Sequence, residues 1–233
     1  MRRKKRIKFL TDDKMRAENN RIPSLDLMEY VEQNILPRYA AFDKGHGLSH
    51  VTTVIKNSID LANRIGIDVN MCYVIAAYHD LGLSGPRAIH HLTSGKILLA
   101  DTQLRRWFSS QQLIIMKEAV EDHRASASRM PRSMYGKVVA EADRNLSPDT
   151  VVRRAIQFSI SKNPDYTQEQ HWQRVSDHLE NKYSVNGYIH LWIQNSPNEE
   201  RLRILRTLIK DKKALRTLFD KLYQEETNVE NLK

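Results

Sequence analysis

The sequence predicts an all-α fold. Only eight glycines and seven prolines punctuate its 233 residues, apolar side chains recur mainly at three- and four-residue spacing, and no run alternates like a half-buried strand. A first helix is expected over about residues 25–35, stopping before Pro37, because proline pushes the residue ahead of it out of the helical region. The second, about 48–65, carries Val51, Val54, Ile55, Ile59 and Ala62 and ends at Gly66. A third, about 69–80, is apolar nearly all round (Val74, Ile75, Ala76, Ala77, Tyr78), which marks it as the most buried. The Ser84-Gly85-Pro86 turn stops it, and Pro86 suits the first turn of a fourth helix reaching about Ala100. A fifth starts at Ser109 or Ser110, with Leu113, Met116 and Val120 as its stripe, and ends at His123; a sixth runs from about Ser133 to Arg144. Ser147-Pro148 reads as the N-cap and first residue of a seventh, to about Ser161. Thr167 with Gln170, and Ser196 with Glu199, have capping-box spacing, so residues 166–233 should hold two or three further helices.

These elements divide into a basic tail over residues 1–20, a helical domain over 21–165 and a helical extension over 166–233 packed on that domain. Of the formal net charge of +9, six positive charges lie in the first eight residues, which leaves the body at +3. Such a mildly basic body suits a small anionic substrate as well as a polyanion. No aromatic interleaving or nucleic-acid module accompanies the tail, so a nucleic acid is disfavoured as a partner. The single cysteine, Cys72, has no partner for an internal disulfide. The basic N-terminus lacks the apolar run of a secretory signal, and no segment approaches a membrane span. A cytoplasmic protein without a membrane partner is the expectation. In the extension, Trp172, Tyr183, Trp192 and Leu202 to Leu208 supply packing surface or a homodimer face, whereas His171, His178 and His190 show no metal-ligand geometry.

Chemistry enters where polar residues fall among apolar ones. His79 and Asp80 end the most apolar helix, where an ionised carboxylate needs a partner, a proton or a cation. His123 lies three residues after Val120 on its stripe, Asp143 four after Val139, and His50 four before Val54, so four helices aim potential ligands at one interior. Neutral imidazole with carboxylate suits a divalent ion: Mn, Fe, Co, Ni, Zn or Mg. Hydrolysis of a phosphate ester is the natural chemistry of such a shell.

The ordered segments GHGLSHV, AAYHDLG, AVEDHR and GKVVAEADR resemble the HD-domain superfamily of metal-dependent phosphohydrolases over about residues 40–160. The resemblance implies an HD-domain helical bundle in which His50, His79, Asp80 and Asp143 ligate one ion, with His79 and Asp80 at the catalytic centre. Members with two ions add a histidine in the helix after the HD pair and another in the next. HHLTSGKIL therefore offers His90 or His91, His90 in slightly better register, and His123 completes the second position, with Asp80 bridging. The chain departs from the cyclic-dinucleotide branch: DHRASASRMPRS stands where that branch has GYP, and Leu83 near its lysine. It is most similar to small bacterial hydrolases acting on nucleotides, through Glu141-Ala142-Asp143-Arg144.

The expected reaction is therefore hydrolysis of a phosphomonoester or phosphoanhydride of a nucleotide-like substrate by a metal-activated water. His46, Arg87, Lys96, Arg124 and Arg144 are the candidate substrate binders, since fixed positive charge and imidazole near the ion would hold a phosphate. Glu118 and Glu121 are candidate proton donors, with a solvated helix surface as the blander role. Two other readings stay open at this level: a di-iron oxygenase on the same scaffold, and a non-catalytic nucleotide or RNA binder with a structural metal.

Overall fold

The computed structural model describes residues 21–43, 45–125 and 129–230; the basic tail expected over residues 1–20 lies outside them. The described residues form ten α-helices and no strand: α1 (Leu25–Asn34), α2 (Leu48–Ile65), α3 (Val69–Tyr78), α4 (His90–Ala100), α5 (Ser110–Glu121), α6 (Met134–Ala142), α7 (Pro148–Lys162), α8 (Gln168–Tyr183), α9 (Pro197–Lys210) and α10 (Lys212–Glu230). The all-α expectation holds. Among these residues no helix is long and apolar enough to cross a membrane.

The residues up to Asp143 make one compact unit, and those from Arg144 onward a second. In the first, α3 is the axis. Asp68 caps its N-terminus by accepting from the Asn70 and Met71 amides, a contact worth about 1 kcal/mol. Every residue of α3 except Asn70 is buried, and the helix packs on α1, α2, α4, α5 and α6. A helix surrounded in this way cannot carry a solvated face, which is why its apolar residues lack an amphipathic stripe. Cys72 is buried on it, and burial pushes its thiol well above the usual range.

Of the boundaries that differ from those expected, three bear most directly on the site. Helix α3 ends at Tyr78, because Asp80 leaves the helical region (φ −109°, ψ 4°) and the chain enters a 3₁₀ turn over Leu81–Ser84. Helix α4 begins at His90 rather than Pro86, after a second 3₁₀ turn over Arg87–Ile89. Helix α5 ends at Glu121, so that His123 lies just past it. Residues read as inward-facing members of helices are instead held by helix C-termini, where the last carbonyls lack backbone partners.

In the second unit α7 packs on α8, α9 and α10, and α10 also packs on α9 and α8. The core of this unit holds Val151, Val152, Ile156, Val175, Leu179, Leu205, Ile209 and Phe219. The Thr167–Gln170 capping box opens α8 as its spacing predicts. His171 is buried there, its Nδ1 2.7 Å from the buried Ser159 hydroxyl, a paired core histidine.

Candidate metal centre

Three histidines of the first unit share one local device. The ring Nδ1 of His79 lies 2.7 Å from the Ala76 carbonyl, that of His123 2.6 Å from the Val120 carbonyl, and that of His90 2.8 Å from the Arg87 carbonyl. A carbonyl can only accept, so each Nδ1 carries the proton and donates it three residues back. Each Nε2 is thereby left as the ligand nitrogen, with the ring orientation fixed. The end of α3 is consolidated further by Tyr39, whose buried hydroxyl donates to the Ala77 carbonyl at 2.9 Å. Asn57 on α2 does the same for α6, donating to the Ala142 carbonyl at 3.1 Å beside Asp143.

The ligand atoms gather in two groups joined by Asp80. On one side, Asp80 Oδ2 lies 3.2 Å from His79 Nε2 and 3.5 Å from His50 Nε2, and Asp143 Oδ1 lies 3.2 Å from His50 Nε2 and 3.8 Å from His79 Nε2. On the other, Asp80 Oδ1 lies 3.5 Å from His90 Nε2 and 3.6 Å from His123 Nε2. Donors held about 2.1 Å from a divalent ion are spaced about 3.0 Å apart in an octahedron and about 3.4 Å in a tetrahedron. The observed separations, from 3.2 to 3.8 Å, lie at or slightly beyond those edges, and both trios, His50 with His79 and Asp80 and Asp80 with His90 and His123, are arranged so that they could hold a cation.

His90 Nε2 and His123 Nε2 face each other at 3.1 Å. Both rings spend their Nδ1 protons on carbonyls, so two lone pairs would meet unless a proton or a cation lies between them. Without an ion, the charge resides on protons. Burial lowers the basicity of His123, but the adjoining Asp80 carboxylate outweighs it and raises the ring above its ordinary value. His90 is pushed down to about 4 by burial and by the charge on His123. Burial also opposes charge on His50, yet Asp143 and Asp80 beside it prevail and raise it to about 9. Burial alone would raise Asp80 and Asp143; the surrounding histidines hold both well below the usual carboxylate range. Two ionised carboxylates therefore wait for positive charge, and a divalent ion must displace protons to enter.

One consequence is measurable. At pH 7 the loading of the first position should release about one proton per chain, from His50. Because His50 is protonated below about 9, affinity at its position should weaken about tenfold for each unit that the pH falls below that value. Calorimetry in buffers of different ionisation enthalpy reads this directly; metal uptake with no proton release would contradict it.

The other expected residues divide. His90 rather than His91 joins the centre; the His91 ring is turned aside, its buried Nδ1 without a hydrogen-bond partner among the described residues. His46 and Arg87 come together beside His50: Arg87 Nη2 donates to His46 Nε2 at 3.1 Å, while His46 Nδ1 donates to Asp43 at 2.9 Å, and the His46 and His50 rings are 5.9 Å apart. Arg124 is spent on the chain itself, donating to the Ala88 carbonyl at 2.7 Å. Lys96 is exposed on α4, and Arg144 is buried at the start of the second unit. Glu121, read as a solvated surface residue or proton donor, is neither: it is buried, and Lys117 and Arg132 each bind it at 2.8 Å. Those cations overcome the upward pull of burial and keep its carboxyl below the usual range, so that it stays ionised and carries no proton to donate. Asp122 and Arg132 escaped the sequence reading, since an ion pair ten residues apart across a loop follows no helical spacing.

Comparison with known proteins agrees with this geometry. Residues 47–145 match the model of the HD domain family. No curated protein matches the chain significantly. Among solved structures, a protein described as a predicted HD superfamily hydrolase from an uncultured Thermotogales bacterium is 22% identical, with a TM-score of 0.43, over 67% of this chain and 86% of that one. An HD domain therefore occupies residues 47–145 of this chain.

Proposed function

We propose that the chain is a phosphohydrolase dependent on two divalent ions, which cleaves a phosphomonoester or phosphoanhydride of a nucleotide-like substrate. The observation that carries this reading is the division of the Asp80 carboxylate, one oxygen facing His50 and His79 and the other facing His90 and His123. Divalent ions held there supply a Lewis acid that acidifies water and takes up the charge developing on phosphorus. His50, His79, Asp80 and Asp143 would hold the first ion, and Asp80, His90 and His123 the second. Backbone carbonyls lock three of these rings, so little reorganisation is required when ligands are engaged.

His46 and Arg87 are suited to the substrate's phosphate. Arg87 is largely exposed, and its guanidinium can leave His46 and Asp43 to make paired hydrogen bonds to phosphate oxygens. The mildly basic body favours approach of an anion.

The test is phosphate release from a panel of nucleotides and simple phosphate esters, with Mn²⁺, Co²⁺, Ni²⁺, Fe²⁺, Zn²⁺ or Mg²⁺ supplied to chelator-treated protein. Turnover should vanish on chelation and return with at least one of these ions. Oxygen-dependent turnover by iron-loaded protein, without phosphate release, would replace this reading with an oxygenase. Nucleotide binding without turnover under every ion would replace it with a binding protein.

A further inference from the structure

Arg132 gathers the groups around the end of α5. Its Nε lies 3.1 Å from each oxygen of Asp122, and its own backbone amide donates to Asp122 Oδ2 at 2.7 Å. Its Nη2 donates at 2.8 Å to Glu121 Oε2 and at 2.8 Å to the Glu118 carbonyl, one of the carbonyls of the last turn of α5. One planar guanidinium thus closes the helix terminus and pairs with two buried carboxylates at once, which an ammonium could not span. The next residue after this pair is His123.

The two carboxylates reach outward to the neighbouring helices. A Cβ at Gly95, in the middle of α4, would lie 2.9 Å from Glu121 Cγ. A Cβ at Gly136, in the first turn of α6, would lie 3.3 Å from Asp122 Cβ and Oδ2. Helices α4 and α6 therefore close onto the Glu121–Asp122 pair with nothing between. Helix α4 begins with His90, and α6 ends beside Asp143. A mid-helix glycine costs about 1 kcal/mol relative to alanine, and contact with these carboxylates accounts for Gly95.

We propose that Arg132, through Glu121 and Asp122, is the positioning residue that holds His123 and His90 in register for the second cation. Resting on the two-ion reading, this adds that occupancy of one position can be controlled separately from the other. Arg132 touches none of the ligand side chains. Its effect is transmitted by the end of α5 and by the seating of α4 against Glu121, whereas His50 stands on α2 and His79 at the end of α3.

The experiment uses the full chain, stripped and titrated with Mn²⁺ alone, and reads stoichiometry by elemental analysis and spin coupling by electron paramagnetic resonance. The wild type should bind two Mn²⁺ with a coupled signal. Arg132→Gln should bind the first ion with unchanged affinity and the second about tenfold or more weakly, the size of effect that outer partners of metal ligands exert, so that an isolated-ion signal appears at intermediate concentration. Arg129→Gln should keep both ions, because Arg129 is largely exposed and adds a single contact at 3.1 Å to an Asp122 that Arg132 already holds. If Arg132→Gln shows no cooperative unfolding transition, Asp122→Asn, of the same shape, provides the reading and should weaken the second ion selectively. Two coupled ions of wild-type affinity in a folded variant, or equal weakening of both, would overturn the assignment to Arg132. A wild type that binds fewer than two ions would remove the two-ion reading beneath it.

Discussion

Asp80→Ala is expected to empty both cation positions together and to reduce phosphate release on the order of 10³-fold or more. The reason is stoichiometric: one carboxylate contributes an oxygen to each group of ligands, so its loss leaves two separated histidine pairs, with Asp143 on one side only. A Lewis acid supplies several kcal/mol to the transition state, and about 1.4 kcal/mol is a factor of ten in rate. The helices should survive, since Asp80 lies outside α3 and makes no cap for the turn that follows. Thermal unfolding gives a second readout. An ion present at 100 times its dissociation constant stabilises by about 2.7 kcal/mol, which for a chain of this size is a rise in Tm of about 5–11 °C. That rise should be seen in the wild type and absent from the variant. Retention of one tightly held ion, or turnover near the wild-type rate, would show that the bridge is not essential.

Gly82→Ala should damage the same centre from behind. Gly82 passes so close to α4 that a Cβ would lie 2.1 Å from the His90 carbonyl oxygen and 2.7 Å from the Ser94 amide, both backbone atoms. The Gly82 amide donates to the buried Ser94 hydroxyl at 2.8 Å, which pins the turn after Asp80 to the helix that begins with His90. Backbone cannot rotate aside, so α4 must move away, and His90 with it. Overpacking of this kind costs about 3 kcal/mol or more, or roughly 6–12 °C in Tm for a domain of this size. The variant should also bind the second ion more weakly than the first. Metal titration beside differential scanning calorimetry checks both effects; wild-type stability with two ions bound would contradict the packing argument.

The sequence made the helices legible because their apolar residues obey one period, and α5, α7 and α8 begin where their caps stand. The ligands His50, His79, Asp80, His90, His123 and Asp143 could be named because they share an order along the chain. Their mode of support could not. Periodicity carried α3 and α5 through Asp80 and His123, whereas the rings take backbone carbonyls and the helices stop short. The choice between His90 and His91 depends on a 3₁₀ turn that residue spacing does not encode, and it is the Arg87 carbonyl that orients His90. Glu121 read as surface charge because a carboxylate on a helix usually is; a partner that holds it in the interior, Arg132, lies across a loop. Gly82 and Gly95 were the available signals, since a glycine inside or next to a helix often marks close backbone approach.

The central claim is that the two faces of the Asp80 carboxylate each help to hold a cation. A crystal of Mn²⁺-loaded protein, measured for anomalous scattering near the manganese edge, tests it most directly. Two peaks should appear, one among His50, His79, Asp80 and Asp143 and the other among Asp80, His90 and His123. Manganese-loaded crystals with no peak at either place, or with their ions bound only elsewhere on the chain, would contradict it.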